Sequence, residues 1–158
     1  MLKVYIAADI TSCPQLNQTL RIMRKTLLLL TFITLNSICY SQVVKFKISS
    51  VSFKNYDEKI GQWEDWTEIE EVDILGTIDV DNDRIRIFSK SEQNYDVIEN
   101  KGKRTDNDGD DIIEWICVNE DGMKCGVRLV TLNSRNGRKQ LYVDFNNFYI
   151  LYNIYFLD

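Results

Sequence analysis

Histidine is absent from the 158-residue chain. That excludes the Ser-His-Asp and Cys-His constellations, the usual catalytic zinc sites and the commonest general base at neutral pH. Proline occurs once, at Pro14, so later strands must be protected at their edges by charge or by closure of the sheet. No glycine-rich phosphate loop and no G-x-S-x-G is present. Beyond residue 41 only Cys117 and Cys125 remain, too few for a four-thiolate metal site. Carboxylates are left as the means of catalysis, and nothing in their spacing singles out an acid/base pair. The sequence therefore predicts a protein that is not an enzyme and uses no cofactor and no metal.

The N-terminal third has a different character. Met23 opens MRKTLLLLTFITLNSICYSQ, with Arg24 and Lys25 as a short basic region and an apolar run from Leu27 to Leu35. Cys39-Tyr40-Ser41 then places small residues at the −3 and −1 positions of a signal-peptidase site before Gln42. The run is too short for a membrane span. The expectation is a signal peptide over 23–41, an over-extended gene start over 1–22, and one secreted domain over 42–158. A long basic region preceding the apolar run is the alternative for 1–22. Leu35 to Cys39 loosely resembles a lipobox, but Ile38 stands where a small residue is needed, which argues against lipidation at Cys39. The product would be periplasmic or extracellular.

From Gln42 onward no segment holds a helical period, and strand signals recur at hairpin spacing. Val44, Phe46 and Ile48 share one face, and Val51 and Phe53 resume on the other parity, which predicts a bulge at Ser49-Ser50. Val72 to Val80 alternates without error, with Gly76 as a predicted bend. Asp81-Asn82-Asp83 turns the chain into Arg84–Ser89, and Tyr95–Ile98 reads as a short strand. Lys101 to Asp111 reads as one long polar loop. Phe148 to Leu157 is apolar on both faces, so it should be covered on both or lie at a partner surface. About eight short strands predict an all-β antiparallel meander, either a small closed barrel or a sandwich.

The central ribbon is Trp115 to Leu132. Glu120-Asp121-Gly122 reads as a three-residue hairpin loop with glycine at the position that needs positive φ. Counting back from that loop sets Cys117 opposite Cys125. In an oxidising compartment the two could bridge; two reduced thiols packed as small apolar groups are equally compatible.

Residues 42–158 carry 15 Lys and Arg against 23 Asp and Glu, a net charge of −8. That argues against nucleic acid and anionic membrane surfaces as partners. Gln62 to Asp83 holds nine acidic residues and no basic one, with Trp63 and Trp66 embedded in it. Trp63, Glu64, Asp65 and Trp66 are the candidate partner-binding residues, aromatic anchors inside an acidic surface suited to a basic protein. Asp106 to Asp111 resembles a calcium loop, but Gly109 falls fourth rather than sixth and the first and twelfth ligand positions are Arg104 and Trp115. A solvated acidic turn is the better reading.

The W-x-x-W acidic segment, the C-V-N-E-D-G-M-K-C-G-V-R-L hairpin and the L-Y-V-D-F strand together resemble a set of small secreted bacterial all-β proteins. The resemblance spans most of 42–158 and implies no activity and no site. The expected function is a secreted or periplasmic binding protein, inhibitor- or immunity-like, for a basic protein partner. A small-ligand carrier using a barrel interior is the alternative, and a carboxylate-based hydrolase the second alternative.

Overall fold

The computed structural model describes residues 23–25 and 42–157. Apart from residues 23–25, the expectations for the leader, its cleavage position and residues 1–22 fall on residues outside that set. The chain divides into two units, Met1–Tyr40 and Ser41–Asp158. Among the described residues no helix is long and apolar enough to cross a membrane.

Period-two alternation of apolar residues produces nine strands in the second unit. They are β1 (Val43–Asp57), β2 (Gln62–Trp63), β3 (Glu70–Asp79), β4 (Arg84–Ile87), β5 (Gln93–Thr105), β6 (Asp111–Asn119), β7 (Lys124–Leu132), β8 (Arg138–Asp144) and β9 (Phe148–Phe156). Eight of them pair antiparallel in the order β1-β3-β4-β5-β6-β7-β8-β9, and β9 pairs back onto β1. That last pairing, Phe46↔Phe156 through Asn55↔Phe148, makes the sheet a closed barrel rather than a sandwich. β2 is the additional strand, held on the far end of β1 by Tyr56↔Trp63 and Asp57↔Gln62.

An eight-stranded barrel is just wide enough for side chains to fill its interior. Here Phe46, Ile48, Ile85, Ile87, Cys117, Val127, Leu141 and Val143 are fully buried. Val51, Ile78, Tyr95, Cys125, Leu129, Phe145, Ile150, Tyr152 and Ile154 complete the same cluster of buried residues. The β1 bulge lies between Ile48 and Ser50, where alternation breaks in the sequence. It changes parity: Phe46 and Ile48 point inward before it, Val51 after it, and Ser50 and Ser52 are buried under the outer layer.

Gly76 has a role other than the predicted bend. It lies opposite Phe46 in the β1–β3 ladder, which has no irregularity at that point. A Cβ there would fall inside van der Waals contact with three carbons of the Phe46 ring. Glycine is needed for close approach, not for curvature.

One loop also differs from the sequence reading. Residues 101–105 are strand, not loop: β5 runs to Thr105, with bulges between Val97 and Glu99 and between Asn100 and Gly102. Lys103 and Arg104 pair across to Asp111 and Glu114 of β6 at 2.9 and 3.9 Å, and Lys101 pairs with Glu99 of its own strand at 2.7 Å, so charged pairs replace apolar alternation as the strand signal. Asn136 and Gly137 have the left-handed φ values of 59° and 70° that suit a tight turn. They end a longer connection that begins with a 3-10 turn at Asn133–Arg135.

The interior tyrosine hydroxyls meet at a half-buried polar group. Gln93 Oε1 accepts hydrogen bonds from Tyr95 and Tyr152 hydroxyls at 2.6 and 3.1 Å. Burial pushes the Tyr152 phenol up to about 12 and raises that of Tyr95 as well.

Two outcomes are expected from this packing. Gly76→Ala should destabilise by about 1–3 kcal/mol through overpacking. In chemical denaturation, the double variant with Phe46→Leu should lose less than the sum of the two single variants; simple additivity would show that the ring contact is not the cause. Alkaline pH gives the second. Unfolded tyrosine titrates near pH ~10, so stability should be full below that, then fall as pH rises to about 12, the value for folded Tyr152. Tyr152→Phe should reduce the fall in melting temperature over that window; an unchanged profile would refute the assignment.

Candidate functional site

The acidic tryptophan segment lies on the outside of the barrel. β2 sets Trp63 against the wall, and the next residues are tied to β1 by backbone bonds: Glu64 N–H to Asn55 O at 2.9 Å and Thr67 N–H to Phe53 O at 2.8 Å. The Thr67 hydroxyl accepts the Phe53 N–H at 2.9 Å, and the Ser52 hydroxyl donates to Thr67 O at 2.8 Å. Trp63 stacks on Tyr149 of β9 with centroids 4.1 Å apart and planes 13° apart, and meets Tyr56 edge-on at 5.3 Å. Trp66 meets Tyr142 of β8 edge-on at 6.4 Å, and Lys54 Nζ lies 5.9 Å from its ring centroid. The Trp63 contact covers the first part of the outer face of β9, while Tyr155 and Phe156 at its far end are exposed.

The four predicted residues therefore come together on one outer face, with unequal exposure. Trp63 is half-buried and chiefly anchors β2. Trp66 is 38% exposed. Glu64 and Asp65 are exposed between them, as are Glu68, Glu70 and Glu71 just beyond. Glu64 takes a bond from Asn55 Nδ2 at 3.4 Å; Asp65, Glu68, Glu70 and Glu71 have no ion-pair partner among the described residues.

Beside Trp66 the wall opens into a groove of about 780 Å³ that also involves Asp108, Asp110, Arg135, Gln140 and Tyr142. Tyr142 is firmly placed. Its hydroxyl donates to Gln140 Oε1 at 2.9 Å, Gln140 Nε2 donates to Asn153 Oδ1 at 3.0 Å, and Asn153 Nδ2 donates to Ser50 Oγ at 2.8 Å. The Arg128 guanidinium sits 5.0 Å from the Tyr142 ring centroid and pairs through Nε with Asp144 at 2.6 Å. Sequence reading missed Tyr142, Tyr149 and Arg128. Their signal was parity: they fall on the outward phase of strands whose neighbours point inward.

The acidic turn between β5 and β6 uses its carboxylates on backbone amides. Asp106 Oδ1 accepts the N–H groups of Asp108 and Asp110 at 3.0 and 2.9 Å. Asp110 is buried, and its Oδ1 accepts both the N–H and the hydroxyl of Ser134 at 3.3 Å. Among the described residues no group of three or more His, Cys, Asp or Glu is placed to hold a metal ion.

The cysteines stand where the loop count puts them. Gly122, with φ 77°, closes the three-residue loop, and Cys117 pairs directly with Cys125. Both are free thiols, so the structure contains no bridge between them. Asn119 N–H bonds to Met123 O at 3.0 Å, which makes 119↔123 a hydrogen-bonded pair. Two residues further along, 117↔125 is of the same wider kind, the less suitable geometry for a cross-strand disulfide. Burial pushes the Cys117 thiol up to about 12 and that of Cys125 up to about 11, so neither is a thiolate at neutral pH.

Iodoacetamide at pH ~8 is accordingly expected to leave both cysteines unmodified in the folded protein. In denaturant without reductant, peptide mapping should find both alkylated; failure to alkylate them there would mean that they are bonded. No protein family, curated protein or solved structure matches the chain.

Proposed function

We propose that this chain is an exported, non-enzymatic binding protein that engages a protein with a basic surface through its Trp63–Trp66 segment, in the manner of an inhibitor or immunity protein. The observation that carries the reading is the group of exposed carboxylates Asp65, Glu68, Glu70 and Glu71, without ion-pair partners among the described residues and close in sequence to the exposed Trp66. An unneutralised carboxylate row steers a basic partner, and an aromatic ring beside it supplies the apolar anchor. The leader-like sequence from Met23 supports export, with the binding domain starting at Gln42.

The packed barrel interior favours this reading over the carrier, which needs an open apolar cavity. The hydrolase reading is disfavoured by the groove itself. Of its two carboxylates, Asp110 is buried and bonded to Ser134, which leaves Asp108 without a second open carboxylate to act as its acid/base partner there.

The test is capture of secreted and periplasmic proteins of the producing organism on immobilised 42–158. The expected product is a basic protein whose capture weakens as salt rises. Trp66→Ala should cost about 2 kcal/mol of binding or more. Glu68→Lys with Glu70→Lys should slow association. Capture of no basic protein, or capture indifferent to all three changes, would refute the reading.

A further inference from the structure

The groove beside Trp66 is built from three segments far apart in sequence: the tryptophan segment, the Asp106–Asp110 turn, and the 3-10 turn that leads into β8. Its chemistry differs from that of the acidic row. Asp108 and Arg135 both line it, yet they are not paired with each other, and neither side chain has a hydrogen-bond or ion-pair partner among the described residues. An open acceptor and an open donor of opposite charge impose little net field. They suit a ligand that both donates and accepts hydrogen bonds while carrying no net charge.

The rings suit the same ligand. Trp66 and Tyr142 meet at 69°, forming an aromatic corner. Tyr142 is fixed by Gln140 and Arg128, so little side-chain entropy is left to lose on binding. An extended peptide is a poor fit. The groove floor is β8 and β9, each paired on both edges, so no free backbone is available for strand addition.

We propose that this groove is a binding site for an uncharged oligosaccharide chain. The apolar face of one sugar ring stacks in the Trp66–Tyr142 corner. Vicinal hydroxyls donate to the Asp108 carboxylate and accept from the Arg135 guanidinium. The site shares Trp66 with the protein-binding segment, but Asp108, Arg135 and Tyr142 lie outside that segment.

The experiment uses the folded protein on an array of immobilised cello-, xylo-, malto- and chito-oligosaccharides, followed by calorimetric titration of the sugars retained. At least one series should bind. Asp108→Ala and Arg135→Ala should each weaken binding about tenfold or more, the loss of one charge-assisted hydrogen bond. Trp66→Ala should weaken it at least as much, with Trp66→Phe recovering part of the loss if the ring is a stacking surface. Asp108 is exposed and without side-chain bonds, so its variant stays folded whatever becomes of the tryptophan variants. Glu68→Lys with Glu70→Lys should leave sugar binding unchanged, which separates this site from the protein-binding reading. Absence of binding across all four series, or binding unaffected by Asp108→Ala and Arg135→Ala, would overturn the proposal.

Discussion

Closure of β1 onto β9 is the constraint on which the rest of this structure depends. A chain with no proline beyond Pro14 cannot use that residue to guard a sheet edge. Pairing the first strand with the last removes the barrel's edges altogether, and it joins residues about 100 positions apart, as in Ser50↔Asn153. The bulge after Ile48 is part of the same solution. It lets one strand of 15 residues bend around the closure point, pair with β3 on one side and β9 on the other, and still turn its apolar side chains inward.

Closure also creates two environments with different rules. Inside, side chains fill the space, and polar groups survive only when satisfied or neutral. Gln93 serves two tyrosine hydroxyls, and the two thiols are held in their uncharged form. Outside, the wall is not uniformly solvated. Along β8, β9 and the far half of β1 a second layer of Trp63, Trp66, Tyr142 and Tyr149 covers it, pinned by backbone bonds from residues 64–67. The acidic row and the groove both belong to that outer layer, so the chemistry available to other molecules sits on the wall and not in the barrel.

Several elements were legible before any coordinates. The parity slip at Ser49-Ser50, the loop Glu120–Gly122 and the consequent Cys117↔Cys125 pairing depend on counting along one or two adjacent strands, and local geometry decides them. The double apolar character of β9 pointed to a cover on its outer face, which Trp63 supplies at Tyr149 but which does not extend to the exposed Tyr155 and Phe156. Residues 101–105 were misread because that extension of β5 pairs with β6 through its backbone and through charge pairs, Lys103 with Asp111 and Arg104 with Glu114, and shows no apolar alternation. Gly76 was misread because its partner, the Phe46 ring, lies on another strand.

The amino-acid sequence by itself determined that the domain is all β, that its strands meander, that it is acidic, and that histidine-dependent chemistry is excluded. Composition and short-range periodicity carry those properties, and neither depends on distant contacts. Tertiary structure alone decided that the sheet closes, that the opposed Cys117 and Cys125 stand as two free thiols, and that Trp66, Asp108, Arg135 and Tyr142 share one groove. The reason is physical. Closure, ring packing and groove formation are set by pairings between segments far apart in the chain, and a pattern of period two reports which face a residue takes but not which residue it will meet there.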